Sequence, residues 1–253
     1  MRLNEAADQL GVHYQTAYGW VRSGQLPARK IRRGYEVSEA DVRALAEQRA
    51  AGRAPAAHIK VRDWAAQADR LYDAIVDGQE TQARRATERL AGHISITDLC
   101  DRVIAPALRK IGDGWQAGLI SIAREHRATA ICERLIAMHA TAPAGRPRGV
   151  AVVATPPGER HGLPALMAAA CLRENRWQVH HLAADLPAAE ISALAAQVGA
   201  DLVVLSTTGH DSAEVARQVA DRVHAAAPAA TVLIGHPGQT LGSLADRTGE
   251  TDV

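Results

Sequence analysis

Gly149-Val-Ala-Val-Val-Ala-Thr155 is an unbroken apolar run of strand length, and the Gly- and Pro-rich loop Pro156-Pro-Gly-Glu-Arg-His-Gly-Leu-Pro164 follows it at once. A short run without polar alternation is what a strand buried on both faces requires. Trp177-Gln-Val-His-His-Leu182, Asp201-Leu-Val-Val-Leu-Ser206 and Thr231-Val-Leu-Ile-Gly235 repeat the pattern, with Ala-rich helical stretches at 162–174, 188–198 and 211–227 between them. Strand and helix alternating through short loops predict a doubly wound, Rossmann-like parallel sheet over residues 148–253. The break Thr141-Ala-Pro-Ala-Gly-Arg-Pro-Arg148 marks where it starts.

Upstream the periodicity changes from strand to helix. Trp64, Ala68, Leu71 and Ile75 share one helical face. Ala83, Ala86 and Leu90, then Leu99, Val103 and Leu108, then Ile122, His126, Ile131 and Leu135 continue the same period. These stretches predict a four-helix bundle over 58–142. Before it, Arg49-Ala-Ala-Gly-Arg-Ala-Pro55 reads as a linker, so residues 1–55 form a module of their own. The chain is then a multidomain α and α/β protein.

In that first module Leu3-Asn-Glu-Ala-Ala-Asp-Gln-Leu10 and His13-Tyr-Gln-Thr-Ala-Tyr-Gly-Trp-Val-Arg22 read as two helices about a Gly11-Val12 turn. This geometry offers a second helix to the major groove of DNA. Gln15, Thr16, Tyr18 and Arg22 on that helix are side chains able to touch base edges or phosphates. Arg33-Gly34 is a turn between two short strands, and the hairpin carries Lys30, Arg32 and Arg33 as a basic wing. The chain as a whole has a net charge of only +1, but residues 1–35 hold six basic groups against two acids, so any contact with phosphate is concentrated at this end. The plainer reading of the module is a helical dimerisation unit with a solvated basic face.

Bulk composition narrows the rest. Aromatic residues make up 3% with no Phe, so the cores are built from Ala, Leu, Val and Ile. Three scattered cysteines, Cys100, Cys132 and Cys171, form no CxxC pair and read as reduced thiols, not as a disulfide framework or zinc site. With no apolar run of membrane-spanning length and an amino terminus interrupted by Arg2, Asn4 and Glu5, a soluble cytoplasmic protein is expected.

Ligands of doubly wound sheets sit beyond the carboxyl ends of the strands. Those ends carry Gly158, Glu159, His161 and Gly162, the hydroxyl cluster Ser206, Thr207 and Thr208, and the small residues Gly235 and Gly238. Together they describe a polar slot beside a histidine, with neither a P-loop lysine nor GxGxxG. No nucleophile–base pair or two-carboxylate arrangement stands out, so no enzymatic turnover is expected. Taken alone, His161 is one of 11 histidines and reads as an ordinary loop residue, and Trp115 and Glu125-His126 read as core filler and surface pair.

Three resemblances add to this reading. The first 48 residues resemble the winged helix-turn-helix of the MerR and excisionase-like regulators, which implies double-stranded DNA as partner. Glu159-Arg-His161, Leu205-Ser206-Thr-Thr208 and Gly235…Gly238 resemble the cobalamin-binding domains that hold the cofactor base-off. That resemblance implies His161 as lower cobalt ligand and Glu159 as acceptor for its other ring nitrogen. It also implies that the Ser and Thr cluster and the glycine turn line a channel for the displaced nucleotide tail. Two departures stand out: Pro164 replaces the family's glycine, and the fifth strand and last helix look shortened or absent, which implies a weaker tail pocket.

Finally, Trp115 followed ten residues on by Glu125-His126 resembles the bundle motif of the CarH and LitR light-responsive cobalamin repressors. This implies that Trp115, Glu125 and His126 surround an upper adenosyl group. It further implies that adenosylcobalamin in the dark assembles a DNA-binding homo-oligomer, dimer or tetramer, which light disperses. Gln116 stands where that family has a histidine that takes the upper cobalt position after photolysis; an amide is a poor cobalt ligand, which leaves His126, water, or a signal other than light. The other readings are a regulator whose sheet domain has lost its cofactor, and a corrinoid carrier of a methyltransferase system, for which a winged helix-turn-helix has no use.

Overall fold

Leu3, Ala6 and Ala7 fall on one side of α1 (Leu3–Gln9), and burying that side against Ala17 on α2 (Tyr14–Arg22) forms the first helix pair. The computed structural model describes residues 1–10, 14–22, 24–31, 34–50, 63–140 and 143–249. It divides into two compact units, Met1–Arg62 with Gly92–Ile94, and Asp63–Ala91 with Ser95–Val253. After α2 the first unit runs through an antiparallel hairpin of β1 (Ala28–Ile31) and β2 (Gly34–Val37) into α3 (Glu39–Ala50). Leu26, Val37, Val42 and Leu45 join the helix-pair residues to make its core. The Met1 ammonium donates to the Val37 carbonyl at 3.0 Å, which ties the chain start to the hairpin.

The second unit begins with α4 (Trp64–Val76) and α5 (Glu80–Ala91). Next comes one continuous helical rod made of α6 (Ile96–Leu99), a π-helical turn (Cys100–Ile104) and α7 (Ala105–Gln116), and then α8 (Ile122–His139). Leu71, Ile75, Leu99, Ile104, Ile111, Ile131, Leu135 and Ile136 are fully buried among these helices. Past the π turn, the core positions are Ala107 and Ile111. Leu108, which the sequence periodicity assigns to the core stripe, is half-buried and faces a cavity instead. Ile122 and His126 likewise lie outside the core. They occupy the first turns of α8 after its Ser121 cap, and Ile122 is 59% exposed.

Strand β3 (Val150–Ala154) starts the sheet, followed by α9 (Gly162–Glu174), β4 (Gln178–His181), α10 (Ala188–Gln197), β5 (Leu202–Ser206), α11 (His210–Ala226), β6 (Thr231–Gly235) and α12 (Leu241–Gly249). The strands are parallel in the order β4-β3-β5-β6. The order reverses direction beside β3, so the loops after β3 and β5 form the crevice in which doubly wound sheets hold ligands. One core packs Val152, Val203 and Leu205 against α10 and α11; the other packs Ala151, Val153, Leu202 and Val204 against α9 and Trp177. The described residues hold no fifth strand, but where the sequence suggested a shortened or absent last helix, α12 spans nine residues. No described helix is long and apolar enough to cross a membrane.

Bundle and sheet are joined by two carboxylates. Glu174 at the end of α9 accepts the Ile96 and Thr97 amides at 2.8 and 3.3 Å, capping the start of α6. Asp101 in the π turn accepts the Leu241 and Gly242 amides at 2.9 and 3.0 Å, capping α12. Cysteines 100, 132 and 171 are buried and unpaired. Burial pushes all three thiols up, Cys132 to about 12 and Cys171 to about 11, which leaves them protonated and unreactive.

Candidate cofactor site and nucleic-acid face

The loop after β3 is folded back on itself by two residues that sequence reasoning did not single out. Thr155 is buried; its hydroxyl donates to the Glu159 carbonyl at 2.8 Å and accepts the Asp185 amide at 2.8 Å. Asp185, at φ 60°, accepts the Gly158 amide on Oδ1 at 2.7 Å. Gly158 itself has φ +83°, a conformation that any side chain would strain. The result turns Glu159 inward and leaves His161 on the rim.

Glu159 is 4% exposed and accepts hydrogen bonds on both oxygens. Oε1 takes the His161 amide at 3.0 Å and the His161 Nδ1–H at 2.5 Å. Oε2 takes the Thr208 amide at 2.8 Å and the Thr208 hydroxyl at 2.7 Å. Burial works to raise this carboxyl, but the Thr208 hydroxyl, the His161 backbone and ring, and the Thr208 amide together outweigh it and hold the group at about 2. An ionised carboxylate only accepts, so a neutral His161 keeps its proton on Nδ1 and its lone pair on Nε2. The His161 side chain is 72% exposed, which leaves that lone pair open beyond the sheet.

Beside this group lies a cavity of about 500 Å³, within the size range of small-ligand sites, roughly 300–1,000 Å³. Its floor is Ser206, Thr207, Thr208, Gly235 and Gly238, and its walls come from α9, α7 and α12. The three hydroxyls do different work. Thr208 is committed to Glu159 and lies 3.0 Å from His161 Nδ1, and Thr207 donates to the Gly235 carbonyl at 2.7 Å, holding β5 to β6. The Ser206 hydroxyl makes no hydrogen bond among the described residues and lines the cavity. A Cβ at Gly235 would make only ordinary contacts, 3.8 Å from the Leu205 carbonyl oxygen, and would stand on the cavity floor. Gly238 turns at φ +86°. Gly162 opens α9, and Pro164 is its third residue, where a missing N–H breaks no helical bond.

Trp115 lies near the end of α7 and Glu125-His126 in the first turns of α8; Trp115 and His126 are exposed and Glu125 is half-buried. Trp115 is 47% exposed, with Leu119 at 79% and Ile122 at 59% nearby in sequence. Glu125 accepts the Thr129 hydroxyl at 2.9 Å, and its other oxygen lies 2.6 Å from His126 Nδ1. No hydrogen bond among the described residues joins these three to His161.

Of the residues assigned to DNA contact, Lys30 is exposed on β1 without an ion-pair partner among the described residues, whereas the adjacent Arg29 pairs with Glu36 at 2.6 Å. Tyr18 is half-buried, its ring 5.6 Å from that of Tyr35, so it packs α2 against the hairpin. Arg32 and Arg33, and the side chains of Gln15, Thr16 and Arg22, lie outside the described residues.

Known proteins match all three parts. Residues 67–138 and 149–246 each match a B12 binding domain family, and residues 1–50 match a helix-turn-helix domain family. The HTH-type transcriptional repressor CarH of Myxococcus xanthus is 33% identical over 129 residues, 51% of this chain and 43% of that protein. The repressor CarA of the same organism is 30% identical over 172 residues, 66% of this chain and 57% of that protein. The chain thus spans about half the length of the curated relatives it matches. The Methanosarcina barkeri monomethylamine corrinoid protein shares the fold, with a TM-score of 0.59 and 17% identity over 73% of this chain and 98% of that one.

Proposed function

We propose that this chain, a helix-turn-helix domain followed by two B12 binding domains and similar to the CarH and CarA repressors, is a cobalamin-dependent, light-responsive regulator of transcription. The observation that carries the reading is the Glu159–His161–Thr208 group: a buried carboxylate fixes the imidazole so that Nε2 faces outward, beside a cavity of about 500 Å³. Among the described residues no three His, Cys, Asp or Glu side chains gather to cage a free ion. With its Nδ1–H held by Glu159 and its Nε2 open, His161 would suit a metal that arrives already held in a macrocycle and needs one more donor.

Gly158, Glu159, His161 and Gly162 would meet the lower side of the corrin, and Ser206, Thr207, Thr208, Gly235 and Gly238 would line the displaced nucleotide tail. Trp115, Glu125 and His126 would cover the upper side, where Trp115 and Ile122 offer exposed apolar surface to an adenosyl group. Adenosylcobalamin supplies a light-sensitive cobalt–carbon bond, and the protein steers the outcome of its cleavage. Gln116 is exposed at the end of α7, and its amide would be a weak donor to cobalt, so a replacement donor would have to be His126 or water, unless the signal is not light. Residues 1–55 would bind double-stranded DNA through Gln15, Thr16, Tyr18 and Arg22, with Lys30, Arg32 and Arg33 on phosphate. A cofactor-stabilised homo-oligomer, dimer or tetramer, would make that binding bivalent, so avidity sets the switch.

The test is the absorption spectrum of protein mixed with adenosylcobalamin and desalted, taken in the dark and after green light, alongside DNA binding in both states. A retained, histidine-ligated spectrum that changes on illumination together with DNA affinity supports the proposal. Cobalamin lost on desalting, with unchanged DNA binding, would leave a regulator without a cofactor. The corrinoid-carrier reading shares the fold but gives residues 1–50 nothing to do.

A further inference from the structure

The cavity beside His161 is closed by two walls that are distant in sequence. Ala105, Leu108, Arg109 and Gly112 recur at helical spacing on α7, and Leu241, Leu244 and Arg247 recur on α12. The Asp101 carboxylate connects them. It lies in the π turn from which α7 starts, where the Ala105 amide bonds to the Cys100 carbonyl five residues back. Its two oxygens accept the first two amides of α12 at 2.9 and 3.0 Å, so a negative charge sits on the positive end of that helix. Cys171 adds a long contact from its thiol to the Leu241 carbonyl at 3.6 Å, and Thr97 reaches both Cys171 and Glu174. The polar links between bundle, α9 and α12 thus gather around the base of α12.

A nine-residue helix that contains Gly242 is not stable by itself, and α12 depends on being docked. Leu241 and Leu244 both wall the cavity and pack on the sheet core. Releasing the first turn of α12 would open the cavity next to Gly235 and Gly238. The Glu159–His161–Thr208 group makes no hydrogen bond to α12 or to the π turn, so the axial donor would be undisturbed.

Resting on the cobalamin reading above, we propose that Asp101 is a positioning residue that sets the cavity's walls and thereby makes the chain select corrinoids bearing a nucleotide tail over those without one.

The experiment compares the affinity of cobalamin and of cobinamide, the same corrin without its nucleotide loop, for the full chain and its variants. The wild type is expected to hold cobalamin more tightly. Asp101→Ala should weaken cobalamin by roughly tenfold to a hundredfold, the range for loss of hydrogen bonds to a charged group, and leave cobinamide unchanged. Asp101→Asn keeps the shape and one good acceptor, and should fall between. Gly112→Leu, at a position where an added Cβ meets nothing within 4 Å, should narrow the cavity from the opposite wall and produce the same selective loss without touching Asp101. If Asp101→Ala does not fold, Asp101→Asn decides the role of Asp101, and Gly112→Leu shows only whether the cavity holds the tail. Equal losses for both corrinoids, no loss for either, or a wild type indifferent to the tail would overturn the proposal. A wild type that holds neither corrinoid would overturn the cobalamin reading itself.

Discussion

Glu159→Gln isolates the electrostatic part of the site. Folding takes this carboxyl from its ordinary 4.5 down to about 2, because four donors converge on a side chain that is 4% exposed. A drop of that size is worth roughly 3 kcal/mol of stability at neutral pH. The sign is that of a depressed carboxyl: the contribution is complete above the unfolded value of 4.5 and is lost as pH falls through the folded value of about 2. Glutamine has no charge and turns an amide NH2 toward one pair of donors. The variant should therefore be less stable than the wild type by roughly 3 kcal/mol near pH 7, and the gap should narrow to roughly 1–1.5 kcal/mol near pH 3. Urea titrations of both proteins at stepped pH, followed by fluorescence of the buried Trp177, measure the gap directly. Cobalamin affinity should also fall, roughly tenfold to a hundredfold, as a partner behind a metal-binding histidine is weakened. A stability gap that stays constant from neutral pH to pH 3 would refute the reasoning, because the loop would then depend on the shape of residue 159 and not on its charge.

Other consequences are simpler. Leu71→Ala removes a fully buried side chain from the bundle and should cost about 2–5 kcal/mol in denaturant unfolding. Glu174→Gln leaves the Ile96 and Thr97 amides poorly satisfied at the bundle–sheet junction, and should cost about 1–3 kcal/mol by the same measurement. Lys30→Ala should weaken DNA binding about equally on all sequences and lower the slope of log affinity against log salt by about 1, read from binding titrations at several salt concentrations.

The sheet was legible because β3, β5 and β6 are short, nearly continuous apolar runs; β4 (Gln178–His181) carries Gln178, His180 and His181 and was read from its place between two helical stretches, and all four strands fall inside the segments read from sequence. The bundle was legible wherever burial follows the helical period, as at Leu71, Ile75, Ile131 and Leu135. It failed where the period is broken or outlasts the packing. The π turn displaces Leu108 toward the cavity, and the first turns of α8 extend past the core, so Ile122 and His126 are exposed. Helix α12 was hidden because Pro237, Gly238 and Gly242 crowd a short polar stretch whose stability comes from docking. Within the site, Glu159, His161 and Thr208 were found from their motif, and the structure joins them by hydrogen bonds. Thr155, Asp185 and Asp101 carried no such signal. Their roles depend on amides 27 to 141 residues away, which only the folded chain brings near.

The central claim is that His161 supplies the lower axial nitrogen to cobalt. Electron paramagnetic resonance of the chain loaded with cob(II)alamin tests it most directly, using protein labelled with [15N]histidine and unlabelled cofactor. If His161 is the ligand, the superhyperfine triplets seen with unlabelled protein become doublets on labelling, and His161→Ala loses the doublets. Triplets that persist in the labelled protein would show that the cofactor's own base remains on cobalt, and would contradict the assignment.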